Sequence, residues 1–109
     1  MTLKVAEIGL NYMGKLDYLY KYIEILSQKK IEGISIQILK KEFFNKYNKN
    51  FYLDDKKVIS FIKLAKKRFR FVCVVTDDIE RLDLFNQLKV NYFKLTSGMI
   101  NNFELIKKI

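Results

Sequence analysis

Short apolar runs alternate along this chain with longer stretches in which apolar residues recur three or four positions apart. Val5, Ala6, Ile8 and Leu10 form the first run and predict a strand over residues 3–10, with a loop from Asn11 to Lys15. Leu16, Leu19, Ile23 and Leu26 then recur at helical spacing, which predicts a helix to about Lys30 with Asp17 favourably placed in its first turn. Ile34, Ile36 and Ile38 alternate with Ser35 and Gln37, so a second strand sets three isoleucines on one face and two polar side chains on the other. If helices cover the isoleucines, Ser35 and Gln37 face an interior. Residues 40–52 are polar and aromatic without a period and predict a short helix and a long surface loop.

Asp54 predicts the N-cap of a helix carrying Val58, Phe61, Ile62 and Ala65, with Lys66, Lys67 and Arg68 at its negative end. Phe71–Val75 is a continuous apolar strand of the kind buried on both faces in parallel sheets. Asp77 or Asp78 predicts the cap of a third helix bearing Ile79, Leu82, Phe85 and Leu88. A fourth strand over 90–96, a loop over 97–102 and the opening of a fourth helix from Phe103 to Ile109 complete the pattern. Strands alternating with helices call for right-handed crossovers and a parallel sheet, which makes the class α/β. Residues 1–109 read as one domain without a low-complexity linker. Its last helix runs about two turns with Leu105, Ile106 and Ile109 wanting a partner surface.

Composition adds a packed core: half the residues are hydrophobic and 15% aromatic. The one cysteine, Cys73, lies within the third strand, where a buried inert thiol is the expectation, and a reducing, cytoplasmic setting fits it. No apolar run approaches the ~20 residues of a membrane span, and the N-terminus lacks the plan of a secretion signal. A soluble cytoplasmic protein with no membrane partner is expected. The net charge of +9 comes from lysines scattered through every segment rather than focused in a stripe, so a nucleic-acid partner is not expected.

Chemistry enters with Glu7. A carboxylate inside an apolar strand costs several kcal/mol unless paired or hydrogen-bonded, so Glu7 is either a satisfied core acid or a working group. Gly9 and Gly14 follow it and permit a turn and a close backbone approach.

Four segments together carry a family resemblance. Ala6–Leu16 reads AEIGLNYMGKL, similar to AEIGxNHxGxL. Ile34–Gln37 reads ISIQ, similar to VKFQ. Leu53-Asp54-Asp55 loosely matches LSFEE, and Phe93–Ile106 reads FKLTSGMINNFELI, similar to YKIxSGxxxNxxLI. In that order they resemble the N-terminal half of the barrel of sialic acid synthases, which make nonulosonic acids from phosphoenolpyruvate and an N-acylated amino sugar. The resemblance implies a partial (β/α)8 TIM-type barrel, four βα units of eight, with its site at the C-terminal ends of the strands. It implies a phosphoenolpyruvate-binding Lys94 with Ser97 as hydroxyl partner, Glu7 as the catalytic acid near the sugar, and Asn11 and Gln37 as polar neighbours. Read without it, Lys94 snorkels, Ser97 forms a turn, Asn11 caps a helix and Gln37 is a satisfied core residue.

The departures from the pattern are Tyr12 for a histidine, Ser35 for a lysine, Met99 for an acid, and Val74–Asp78 for an STPFD-like run. Losing the second cation at position 35 costs a buried anion about 1.5–3 kcal/mol. No cofactor is expected in this chain. The intact family's divalent metal is held by histidines from the other half of the barrel, and this chain has no histidine. Three readings follow: an incomplete synthase inactive alone, a subunit of a split synthase completed by a partner chain, or a non-catalytic basic interaction module. For the first, unpaired edge strands imply self-association or a complementary half-barrel chain.

Overall fold

The computed structural model describes residues 3–46 and 48–109. Its strands are β1 (Val5–Gly9), β2 (Gly33–Gln37), β3 (Phe71–Val75) and β4 (Tyr92–Lys94). They form one sheet in the order β1-β2-β3-β4, and every neighbouring pair is parallel. The helices α1 (Leu16–Leu26), α2 (Asp55–Arg68), α3 (Leu82–Gln87) and α4 (Phe103–Lys108) follow the strands in turn. The alternation of apolar patterns therefore produces the expected α/β order.

Register decides which side chains share a face. Ile34 pairs with Val72 and Ile36 with Val74, and all four are fully buried under the helices with Leu19, Ile23, Val58, Phe61, Ile62 and Phe85. Glu7, Ser35 and Cys73 pair in a row on the opposite face, and Gln37, Val75 and Lys94 form the next row toward the strand ends. A bulge between Glu7 and Gly9 leaves Ile8 without a partner in the ladder. It lets Glu7 point away from the helices while Ile8 stays buried, and Gly9 absorbs the bend at φ +61.

Several boundaries differ from the sequence expectations, each for a local reason. Helix α1 stops at Leu26 rather than near Lys30. There the Ser27 hydroxyl donates back to the Glu24 carbonyl, and Gln28 and Lys29 close tighter three-residue turns. Residues 41–46 and 49–51 form two 3-10 turns instead of a helix and open loop. Asp54 caps α2 as expected, accepting from the Lys57 amide at 2.9 Å. Neither Asp77 nor Asp78 caps α3: Asp77 accepts from the Lys40 amide, and Asp78 accepts from the Arg81 guanidinium. The fourth strand shortens to three residues because Asn91 uses its side chain and backbone on Val72 before the ladder begins. Asn102 caps α4 through the Leu105 amide.

Candidate functional site

The row Glu7, Ser35, Cys73 and the lysine one row above it occupy the face of the sheet that no helix covers. A flat sheet would hold β1 and β4 three strand spacings apart, about 14 Å. Glu7 Oε1 nevertheless lies 3.4 Å from Lys94 Nζ, so the long side chains of the first and last strands reach one another across this concave face. The other oxygen of Glu7 accepts from the Gly9 amide at 3.1 Å. Glu7 is thus neither a buried core acid nor unpaired, because its side chain stays 44% exposed on an open face. An ion pair this exposed is worth about 0–1 kcal/mol, so Lys94 is readily released to another anion.

Beside the pair lies a cleft of about 360 Å³ lined by Val5, Glu7, Ser35, Cys73, Tyr92, Phe93 and Lys94. Among the described residues, Ser35 Oγ is a buried side-chain oxygen with no hydrogen-bond partner. Burial pushes the Cys73 thiol above its ordinary pKa; the neighbouring Ser35 hydroxyl, able to donate to a thiolate, opposes this without reversing it. The thiol therefore stays protonated at neutral pH, but it is half-buried at the wall of this cleft rather than fully buried as its place in the strand implied.

A second cleft, about 340 Å³, opens at the C-terminal strand ends and is lined by Gln37, Leu39, Phe43, Asp77, Thr96, Gly98 and Met99. Gln37 thus faces a cleft rather than the core. Asn11 sits in the β1–α1 loop with its amide donated to the Ile8 carbonyl, and it does not cap α1, whose N-cap is Lys15. Ser97 is exposed at the start of the turn Ser97–Met99, beside Gly98. The structure brings Glu7 and Lys94 into contact, sets Gln37 in the adjoining cleft, and leaves Asn11 and Ser97 on flanking loops. Thr76 is fully buried with its hydroxyl engaged by the Asp78 amide.

Sequence reasoning missed Arg81. The residue is 7% exposed, and its guanidinium donates to the Leu53 carbonyl at 2.8 Å, the Leu39 carbonyl at 3.1 Å and Asp78 at 2.7 Å, with Asp55 3.5 Å away. The rings of Tyr52 and Phe85 lie 5.0 and 5.9 Å from it. Its spacing held the signal: three residues after Asp78 and four before Phe85, it falls on the buried stripe of the helix. Among the described residues, no three His, Cys, Asp or Glu side chains converge to hold a metal.

Against known proteins, 99% of the chain aligns with the N,N'-diacetyllegionaminic acid synthase of Campylobacter jejuni at 30% identity over 129 positions. A crystal structure of N-acetylneuraminic acid (sialic acid) synthetase from Leptospira borgpetersenii, in complex with citrate, superposes on 97% of the chain with a TM-score of 0.83 at 21% identity. Over nearly its whole length the chain is similar to part of a sialic acid synthase. No family model matches it. It spans 39% of the length of the Campylobacter synthase and 40% of the Leptospira chain. Its fold is the corresponding part of a sialic acid synthase barrel, with four parallel strands in one sheet. Its concave face, with Glu7 and Lys94, is accordingly the inward side of that partial barrel. Among the described residues, no helix is long and apolar enough to cross a membrane.

Proposed function

We propose that this chain supplies the phosphoenolpyruvate-binding part of a nonulosonic acid synthase, and that it is inactive until further βα units close the barrel over its concave face. The observation that carries this reading is the Glu7–Lys94 pair on that face, between the first and last strands. Lys94 offers a cation to phosphate or carboxylate, and a charge-assisted bond worth about 1.5–3 kcal/mol exceeds what the exposed pair with Glu7 contributes. The displaced Glu7 then lies beside the bound anion, where an acid/base group for carbon–carbon bond formation is needed. Gln37, with Asn11 and Ser97 on the neighbouring loops, faces the end at which an N-acylated amino sugar would enter.

In this reading the divalent metal is held by residues outside this chain. The barrel is closed in the cytoplasm by a complementary chain, by further units of the same polypeptide, or by self-association. Exposed Val5 and Tyr92 on the edge strands, Leu3 just before β1, and Ile100, Phe103 and Ile106 around α4, are the surfaces such units would cover. Titration calorimetry with phosphoenolpyruvate tests the site. Binding by the unmodified chain and its loss in Lys94→Ala is the expected outcome; equal binding by the alanine variant would remove Lys94 from the site.

A further inference from the structure

The four residues that leave β2 are held in place almost entirely from outside their own segment. The Gln37 carbonyl accepts from the buried Tyr12 hydroxyl at 2.6 Å, and the Ile38 amide donates to the Val75 carbonyl at 2.9 Å. The Leu39 carbonyl accepts from Arg81 Nη2, and the Lys40 amide donates to Asp77 Oδ1 at 2.8 Å. Three side chains from the β1–α1 loop, the β3–α3 loop and the turn before α3 thus fix the Gln37, Leu39 and Lys40 backbone groups, and the β3 backbone fixes the Ile38 amide between them. Tyr12 is 1% exposed and Arg81 7%, so neither touches solvent ligands directly. Arg81 also reaches the Leu53 carbonyl, at the far end of the 40–52 excursion, and so holds both of its ends with one planar fork.

We infer that Tyr12, Asp77 and Arg81 are positioning residues that lock Gln37–Lys40 as the rim of the strand-end cleft, so that Gln37 and Leu39 meet a ligand in one fixed arrangement. Lys94 lies on the other cleft and does not depend on them. The inference rests on the proposed function for the identity of the ligand, but not for the lock itself.

Hydrogen exchange of the full chain without ligand tests the lock in Arg81→Lys, which keeps the charge but lacks the planar fork whose separate nitrogens reach the Leu39 and Leu53 carbonyls and Asp78, and in the near-isosteric Tyr12→Phe. The expected result in either variant is exchange about tenfold faster at the Ile38 and Lys40 amides, with Ile34, Ile36, Val72 and Val74 unchanged. Unchanged exchange at 38 and 40 in both variants, or acceleration spread through the sheet, overturns it. Where Arg81→Lys does not fold, Tyr12→Phe decides alone.

Binding provides a readout that general loosening would not reproduce. N-acetylmannosamine affinity should fall about tenfold in the folded variants, while phosphoenolpyruvate affinity at Lys94 stays within twofold. Equal losses for both ligands count against positioning. If the unmodified chain binds neither, the proposed function fails, and the exchange data still decide the lock.

Discussion

At the residue scale, Glu7 and Lys94 set the terms of anion binding together. Two charges about 4 Å apart in water interact by about 1 kcal/mol, so the Glu7 carboxylate opposes an anion arriving at Lys94 by roughly that amount. Glu7→Gln should therefore tighten phosphoenolpyruvate binding about fivefold in calorimetry, even if it removes the group needed for turnover. Three other titrating groups are shifted in one direction. Burial raises the pKa of Tyr12, Tyr52 and Cys73, with Arg81 pulling the two tyrosines slightly back.

A raised pKa means that the folded state keeps its proton where the unfolded chain has released it. Its contribution to stability is present below the unfolded pKa and is lost as pH rises toward the folded one. Urea midpoints should therefore fall above pH of about 9, where an unperturbed thiol ionises, and further above about 10 for the tyrosines. Tyr12→Phe should flatten the part of that decline due to the most deeply buried group. A stability that rises through this range would contradict the assignment.

At the element scale, strand and helix types were legible because each has its own apolar period, while several ends and partners were not. Ile34, Ile36 and Ile38 announced both faces of β2, and Asp54 announced the start of α2. The lengths of α1 and β4 depended on competing local bonds by Ser27 and Asn91, which no period encodes. The roles of Asp77 and Asp78 were hidden because their partners, Lys40 and Arg81, are set by tertiary placement. Glu7 and Lys94 could be picked out as chemistry from sequence, but their contact depended on the strand order that sets both on the same face. Tyr12, noted only as a departure from a histidine, proves to be a buried donor to the β2 terminus.

Helix α3 ends in a motif that the sequence does not advertise. The Lys89 amide bonds the Asn86 carbonyl and the Val90 amide bonds the Phe85 carbonyl, with Lys89 at φ +62 where glycine is usual. Lys89→Gly should stabilise the chain by about 1 kcal/mol, visible as a higher urea midpoint with unchanged slope.

At the scale of the whole molecule, the chain folds tightly yet leaves one side of its sheet open. Its radius of gyration is 13.5 Å, close to the ~13 Å expected of an ordinary globular domain of this length. The open face is therefore not a consequence of a loosely folded chain. Edge strands β1 and β4 carry exposed Val5 and Tyr92, while α1 exposes Tyr18, Tyr20 and Ile25, and α4 exposes Phe103 and Ile106. Apolar exposure at both ends of a sheet is what an arc of barrel presents before its neighbours close it.

The most direct test is a crystal structure of the chain grown with phosphoenolpyruvate. The account predicts the ligand on the concave face, with its phosphate or carboxylate against Lys94 and Glu7 swung away from the lysine. Phosphoenolpyruvate bound elsewhere, with the Glu7–Lys94 pair unbroken, would contradict it.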